Sequence, residues 1–163
     1  MRHIISVLVE NQSGVLARIA GMFSSRGFNI DSLAVGETHD PTISRITLVS
    51  HGDDMVIEQI IKQLRKLIDV IRVQDISDES HVERELVLIK VKCDRESRAE
   101  IMQITSIFRA RIIDVGSESV VVEGVGSQNR ITALIDLLEQ YGILEMVRTG
   151  AIALSRGSAV LKA

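Results

Sequence analysis

The apolar residues of this chain change period in a fixed order, and they do so twice. Two-residue alternation gives way to helical spacing, then to two alternating runs, then to helical spacing and alternation again. The second pass follows the first after about 80 residues. In the first pass, Ile5, Val7 and Val9 alternate within His3 to Glu10. From Ser13 the residues Val15, Leu16, Ile19, Ala20 and Phe23 recur at helical spacing, with Asn11 or Ser13 able to cap the start and Gly27 suited to the left-handed stop. Phe28 to Val35 and Ile43 to Ser50 read as strands around the turn-like Gly36 to Pro41. Gly52-Asp53-Asp54 opens a helix with Ile57, Ile60, Ile61, Leu64, Leu67 and Ile68 on one face, and Glu58 four residues before Lys62 on the other; Val70 to Ile76 closes the set as a strand.

The order βαββαβ predicts an α+β chain built on a split, antiparallel ferredoxin-like sheet with both helices on one face. The charged stretch 77–84 reads as a linker. Beyond it the plan returns: strands over 85–93, 111–116, 119–123 and 143–154, helices over 97–110 and 127–141, and a turn at Gly124 to Gly126. The expected division is therefore 1–76, a linker 77–84, and a second ferredoxin-like domain 85–163.

Hydrophobic residues make up 45% of the chain and aromatics only 2%, so both cores must be aliphatic. That apolar share in a short chain with much surface predicts that some of it is covered by another subunit, and an oligomer is expected. A net charge of -3 gives no concentrated basic face for nucleic acid. The same plan also underlies RNA-binding modules that stack bases on sheet aromatics. Here the only aromatics, Phe23, Phe28, Phe108 and Tyr141, fall mostly on inward helix positions, which argues against that use. Cys93 lies in an apolar strand and reads as an inert thiol. His3, His39, His51 and His81 are scattered without ligand spacing, and no nucleophile or paired-carboxylate pattern occurs, so neither a metal site nor a catalytic set is expected. No run approaches the length of a membrane span, and a soluble, cytoplasmic protein is expected.

Two corners of the first repeat can meet a small ligand. Asn11-Gln12-Ser13-Gly14 opens a helix, where free main-chain N–H groups and the helix dipole favour an anion and a glycine allows close approach. Arg26-Gly27-Phe28-Asn29 closes the same helix. Asn11 and Asn29 each carry donors and an acceptor, a set able to meet both ends of a free amino acid. On pattern alone, the leading reading is that Asn11 and Gly14 are turn and cap residues and Asn29 a strand start. The second repeat begins its helix at Asp94-Arg95-Glu96-Ser97, whose acidic groups would repel a carboxylate, so no equivalent site is expected there.

With Asn11-Gln12-Ser13-Gly14-Val15-Leu16 on the first corner and Arg26-Gly27-Phe28-Asn29-Ile30-Asp31-Ser32-Leu33 on the second, the first domain resembles an ACT domain. More narrowly, the chain resembles the small regulatory subunits of acetolactate synthase (acetohydroxyacid synthase). The segments 40–45, 63–70, 82–85 and 154–157 extend the similarity over nearly its whole length. The resemblance implies a non-catalytic subunit of branched-chain amino acid biosynthesis that activates a large catalytic subunit and confers feedback inhibition by valine. Thiamine diphosphate, Mg²⁺ and FAD would then reside on that partner, with no cofactor on this chain. It also implies a homodimer whose ACT domains pair side by side, with valine held at the interface by Asn11, Gly14, Val15, Leu16, Asn29 and Ile30 and its side chain pocketed by Leu16, Ile30, Leu33 and Val35. Ala17 stands where the family often carries a hydroxyl. The loop from Gly36 to Arg45, bearing Pro41, is the expected contact with the catalytic subunit. A stand-alone ACT-type sensor for another enzyme is the alternative reading.

Overall fold

A computed structural model describes all residues, Met1–Ala163. The chain forms β1 (Arg2–Glu10), α1 (Val15–Ser25), β2 (Ser32–Glu37), β3 (Ile43–His51), α2 (Asp54–Arg65) and β4 (Val70–Asp75). The second series is β5 (His81–Lys92), α3 (Arg98–Ile107), β6 (Arg111–Val115), β7 (Ser119–Gly126), α4 (Gln128–Glu139) and β8 (Ile143–Arg148), followed by the short β9 (Ile152–Ser155). The expected βαββαβ order thus occurs twice, and the strand orders are those of a ferredoxin-like sheet: β2-β3-β1-β4 and β6-β7-β5-β8, antiparallel throughout.

In the first unit, Ile5, Val7 and Val9 of β1 and Ile46 and Leu48 of β3 point to the helix side. There they bury against Val15, Ile19 and Phe23 of α1 and Ile57, Ile60 and Leu64 of α2. Each such side chain contributes roughly 1.5–3 kcal/mol of burial. Asp53 ends the approach to α2 in extended conformation and accepts the Val56 N–H at 2.9 Å, the cap that the sequence Gly52-Asp53-Asp54 announces. The second unit repeats this packing with Val87, Ile89 and Val91 under Ile101, Ile131, Leu134 and Leu138. Gly124, expected in a turn, lies within β7. A Cβ there would stand 2.8 Å from Leu134 Cδ2, so the missing side chain lets α4 close onto the sheet.

The expected domain limits shift at three places. β5 begins at His81, so the second half of the charged 77–84 stretch is strand rather than linker. The run 143–154 is not one strand: Gly150, at φ +81°, breaks it into β8 and β9. The compact units are Met1–Val82 together with Ala151–Ala163, and Glu83–Gly150, so the last thirteen residues belong to the first unit rather than to 85–163. There Ala151 and Ala153 bury against Ile4, Val49 and Ile76, on the sheet face turned away from α1 and α2. The Ala151 N–H donates to Ser32 Oγ at 3.0 Å, and the Arg156 N–H to Ser80 O at 2.8 Å.

Candidate effector site

Helix α1 starts on Gly14, whose φ of +86° is the left-handed conformation that a Cβ disfavours. No side chain caps this helix and no acidic residue occupies its first turn, in contrast to α2 with Asp53 and Asp54. The Val15 N–H makes a long bond to Gln12 O at 3.5 Å, and no side chain caps the first turn beside the exposed Gly14. Arg18, one turn on, reaches back over this corner: its Nη1 lies 3.0 Å from where a Gly14 Cβ would be. It is held there by Asp69, 2.7 Å from Nε and 2.6 Å from Nη2. Sequence reading passed over Arg18; its place one helical turn beyond Gly14 was the available signal.

Asn11 is exposed and already employed. Its Nδ2 donates to Glu37 Oε1 at 3.1 Å and to Pro41 O at 2.9 Å, while its main-chain N–H bonds Thr42 O at 2.8 Å. These bonds tie the helix-opening turn to the end of β2, and Glu37 sets a carboxylate beside the uncapped helix start. Asn29 sits elsewhere. Its Nδ2 donates to Asp31 Oδ1 at 2.6 Å, Asp31 Oδ2 pairs with His51 Nδ1, and its carbonyl accepts from Ser50 Oγ at 2.8 Å. Asn29 thus precedes β2 and Asn11 adjoins its far end, with six strand residues, roughly 17 Å, between them. Within one chain the two asparagines are not brought together.

β2 starts at Ser32, not Phe28. Phe28 turns inward to meet Phe23 edge to face, ring centroids 6.2 Å apart, and 28–31 form an irregular approach whose Asp31 N–H bonds Val49 O at 2.9 Å. β2 is the edge of its sheet, paired on one side to β3 in continuous register from Ser32↔Val49 to Glu37↔Ser44. Its other side is an unbulged row of main-chain donors and acceptors. Leu33 and Val35 face the helix side of this edge, opposite Leu48 and Ile46; Leu33 packs on the core and Val35 is 47% exposed. Leu16 is likewise exposed at 43%, and Ile30 is half-buried against the core. Val15 differs from expectation: its side chain is 3% exposed and belongs to the core, leaving only its main chain at the corner. The supposed contact loop also shortens to 38–42. Arg45 lies inside β3, half-buried, with Nη2 bonded to Ser6 Oγ and Ala153 O and its Nε buried without a partner. Burial lowers its pKa.

No group of three or more His, Cys, Asp or Glu side chains is placed to hold a metal ion, and no helix is long and apolar enough to cross a membrane. The first unit is a ferredoxin-like βαββαβ domain with an exposed edge strand beside a glycine-started helix, and its sequence places it in the class of ACT regulatory domains. Residues 5–72 match the family described as AHAS small subunit-like ACT domain, and residues 84–157 that described as small subunit of acetolactate synthase. A probable acetolactate synthase small subunit of Archaeoglobus fulgidus is 55% identical over 158 residues, 97% of this chain and 99% of that protein. The acetolactate synthase small subunit of Aquifex aeolicus is 50% identical over 95% of this chain and 81% of its own length. The crystal structure of the acetolactate synthase small subunit from Thermotoga maritima matches with a TM-score of 0.88 at 43% identity, covering 98% of this chain and 99% of that one. The chain belongs to the acetolactate synthase small-subunit family.

Proposed function

We propose that this chain is the regulatory subunit of a cytoplasmic acetolactate synthase: it binds and activates a large catalytic subunit and makes it sensitive to valine. Thiamine diphosphate, Mg²⁺ and FAD belong to the catalytic partner. One observation carries the reading: Asn11 with Gly14, and Asn29, lie at opposite ends of the edge strand β2. Antiparallel pairing of two β2 edges around a twofold axis sets the start of one strand against the end of the other. Asn29 of one chain then comes to the Asn11–Gly14 corner of its mate, and each dimer gains two composite sites.

In such a site the open N–H groups of α1 and the nearby Arg18 take the carboxylate of valine. Glu37 and the asparagine oxygens take its ammonium, and Leu16, Ile30, Leu33 and Val35 surround the isopropyl group. Because one methylene in an apolar pocket is worth ~1–3 kcal/mol, leucine and isoleucine bind too, more weakly. Valine favours one arrangement of the paired domains, and the catalytic subunit responds to it through a coupling of ~1–3 kcal/mol.

The test is reconstitution with the large subunit of the same organism. The chain should raise acetolactate synthase activity, and valine should reverse the increase. Normal activation without any valine effect would leave an activating subunit and remove the sensing role; valine binding by calorimetry without any effect on the synthase would favour a sensor serving another enzyme.

A further inference from the structure

In the second unit a cavity of about 310 Å³ is lined by three arginines, Arg84, Arg109 and Arg130, together with Phe108, Gly126 and Ser127. No carboxylate lines it. The hydrogen bonds of these guanidiniums go to main-chain carbonyls: Arg84 Nη1 to Glu83 O at 2.7 Å and Arg130 Nη2 to Phe108 O at 2.6 Å. The basic residues that do form ion pairs in this unit, Arg148 with Glu85 and Lys90 with Glu145, lie outside the cavity lining. All three arginines are exposed, so water and salt screen their mutual repulsion, and in a chain of net charge -3 they gather positive charge with no carboxylate among them, a setting that favours an anion.

Arg130 is held in place before any ligand arrives. Its stem lies across Gly126, where a Cβ would stand 2.7 Å from Arg130 Cδ, and its head is pinned by the Phe108 carbonyl. Arg109 follows directly, at φ +50°, the one non-glycine residue with positive φ. Planar guanidiniums give paired N–H donors matched to phosphate oxygens.

From this cavity we propose that the second unit binds a multiply charged phosphate-type oxyanion, the diphosphate or monoester group of a small metabolite, between Arg84, Arg109 and Arg130. The guanidiniums carry the site; the first turn of α4 and the Ser127 hydroxyl, which caps no N–H, add donors at its floor. The site is independent of valine sensing and lies in a different unit.

The experiment uses the full chain, titrated calorimetrically with inorganic pyrophosphate and with inorganic phosphate against chloride at matched ionic strength. Native protein should bind saturably, one anion per chain. Arg109→Gln with Arg130→Gln should weaken binding by at least about tenfold for each guanidinium removed. Arg65→Gln, on α2 in the other unit, should leave it unchanged. Tighter binding of pyrophosphate assigns a diphosphate-bearing ligand; tighter binding of phosphate, equally lost in the double variant, assigns a monoester. Circular dichroism verifies that the variants fold, and Gly126→Ala, which displaces Arg130 without removing charge, should also weaken binding. Absence of saturable binding above the chloride control, or undiminished binding by the folded double variant, overturns the proposal.

Discussion

Replacing Gly14 by aspartate probes the uncapped start of α1. The backbone there stands at φ +86°, which costs a residue bearing Cβ about 1–2 kcal/mol, least for Asn and Asp. The new Cβ would lie 3.0 Å from Arg18 Nη1, the far end of a flexible side chain, so the fold accommodates it by a small shift of that guanidinium. The electrostatic effect is larger. A second carboxylate about 4 Å from that of bound valine costs about 4 kcal/mol at an effective dielectric constant near 20. Arg18 offsets part of this, leaving a net loss of about 2–3 kcal/mol, or roughly 30- to 150-fold in Kd. Isothermal titration of the purified variant with valine measures this directly. Gly14→Ala carries at least the same backbone strain without the charge; it should lower Tm by about 2–4 °C per kcal/mol and lose less affinity. A folded Gly14→Asp variant that binds valine within threefold of the native Kd would refute the placement of the carboxylate.

Asn29→His should abolish valine inhibition of the reconstituted synthase while leaving far-ultraviolet dichroism unchanged, because Asn29 is exposed and its side chain bonds the neighbouring Asp31; normal inhibition would exclude Asn29 as a ligand. Ile60→Ala, at a fully buried α2 position, should cost about 2–5 kcal/mol and lower the urea midpoint of unfolding. The Asp94 carboxylate accepts from the Ser97 N–H, the Ser97 hydroxyl and the Glu96 N–H, and these bonds hold its pKa below the usual carboxylate range. A depressed folded pKa contributes stability that is present above the unfolded value near ~3.9 and is lost as pH falls through the folded value. Asp94→Asn should therefore flatten the acid limb of stability against pH below about 4, read by urea titration at stepped pH.

The two βαββαβ passes were legible because aliphatic periodicity reports which face of each element is buried, and Ile5, Val7, Val9, Ile57, Ile60 and Leu64 fall where that rule puts them. The path of the last strand was not. Ile152 and Leu154 continue the alternation of 143–148, and one glycine, Gly150, is all that marks the turn back to the first unit. The entry to β2 was misplaced for a similar reason: Phe28 and Ile30 alternate like strand residues, yet both pack inward from an irregular segment. Turn and cap chemistry marks Asn11, Gly14 and Asn29 as candidates, and it was the family resemblance that favoured them as ligands. The core role of Val15 and the presence of Arg18 and Glu37 depend on how α1 and β2 are oriented, which spacing does not encode.

The separation of Asn11 and Gly14 from Asn29 along β2 makes the composite site testable by complementation. A heterodimer of one Gly14→Asp chain and one Asn29→His chain, isolated with two affinity tags, contains one doubly altered site and one site with native residues on both sides. At valine concentrations near the native Kd, each variant alone should be almost unoccupied. Calorimetry of the heterodimer should recover native affinity at about one valine per dimer, half the native stoichiometry. A heterodimer that binds no valine would contradict a site shared between two chains.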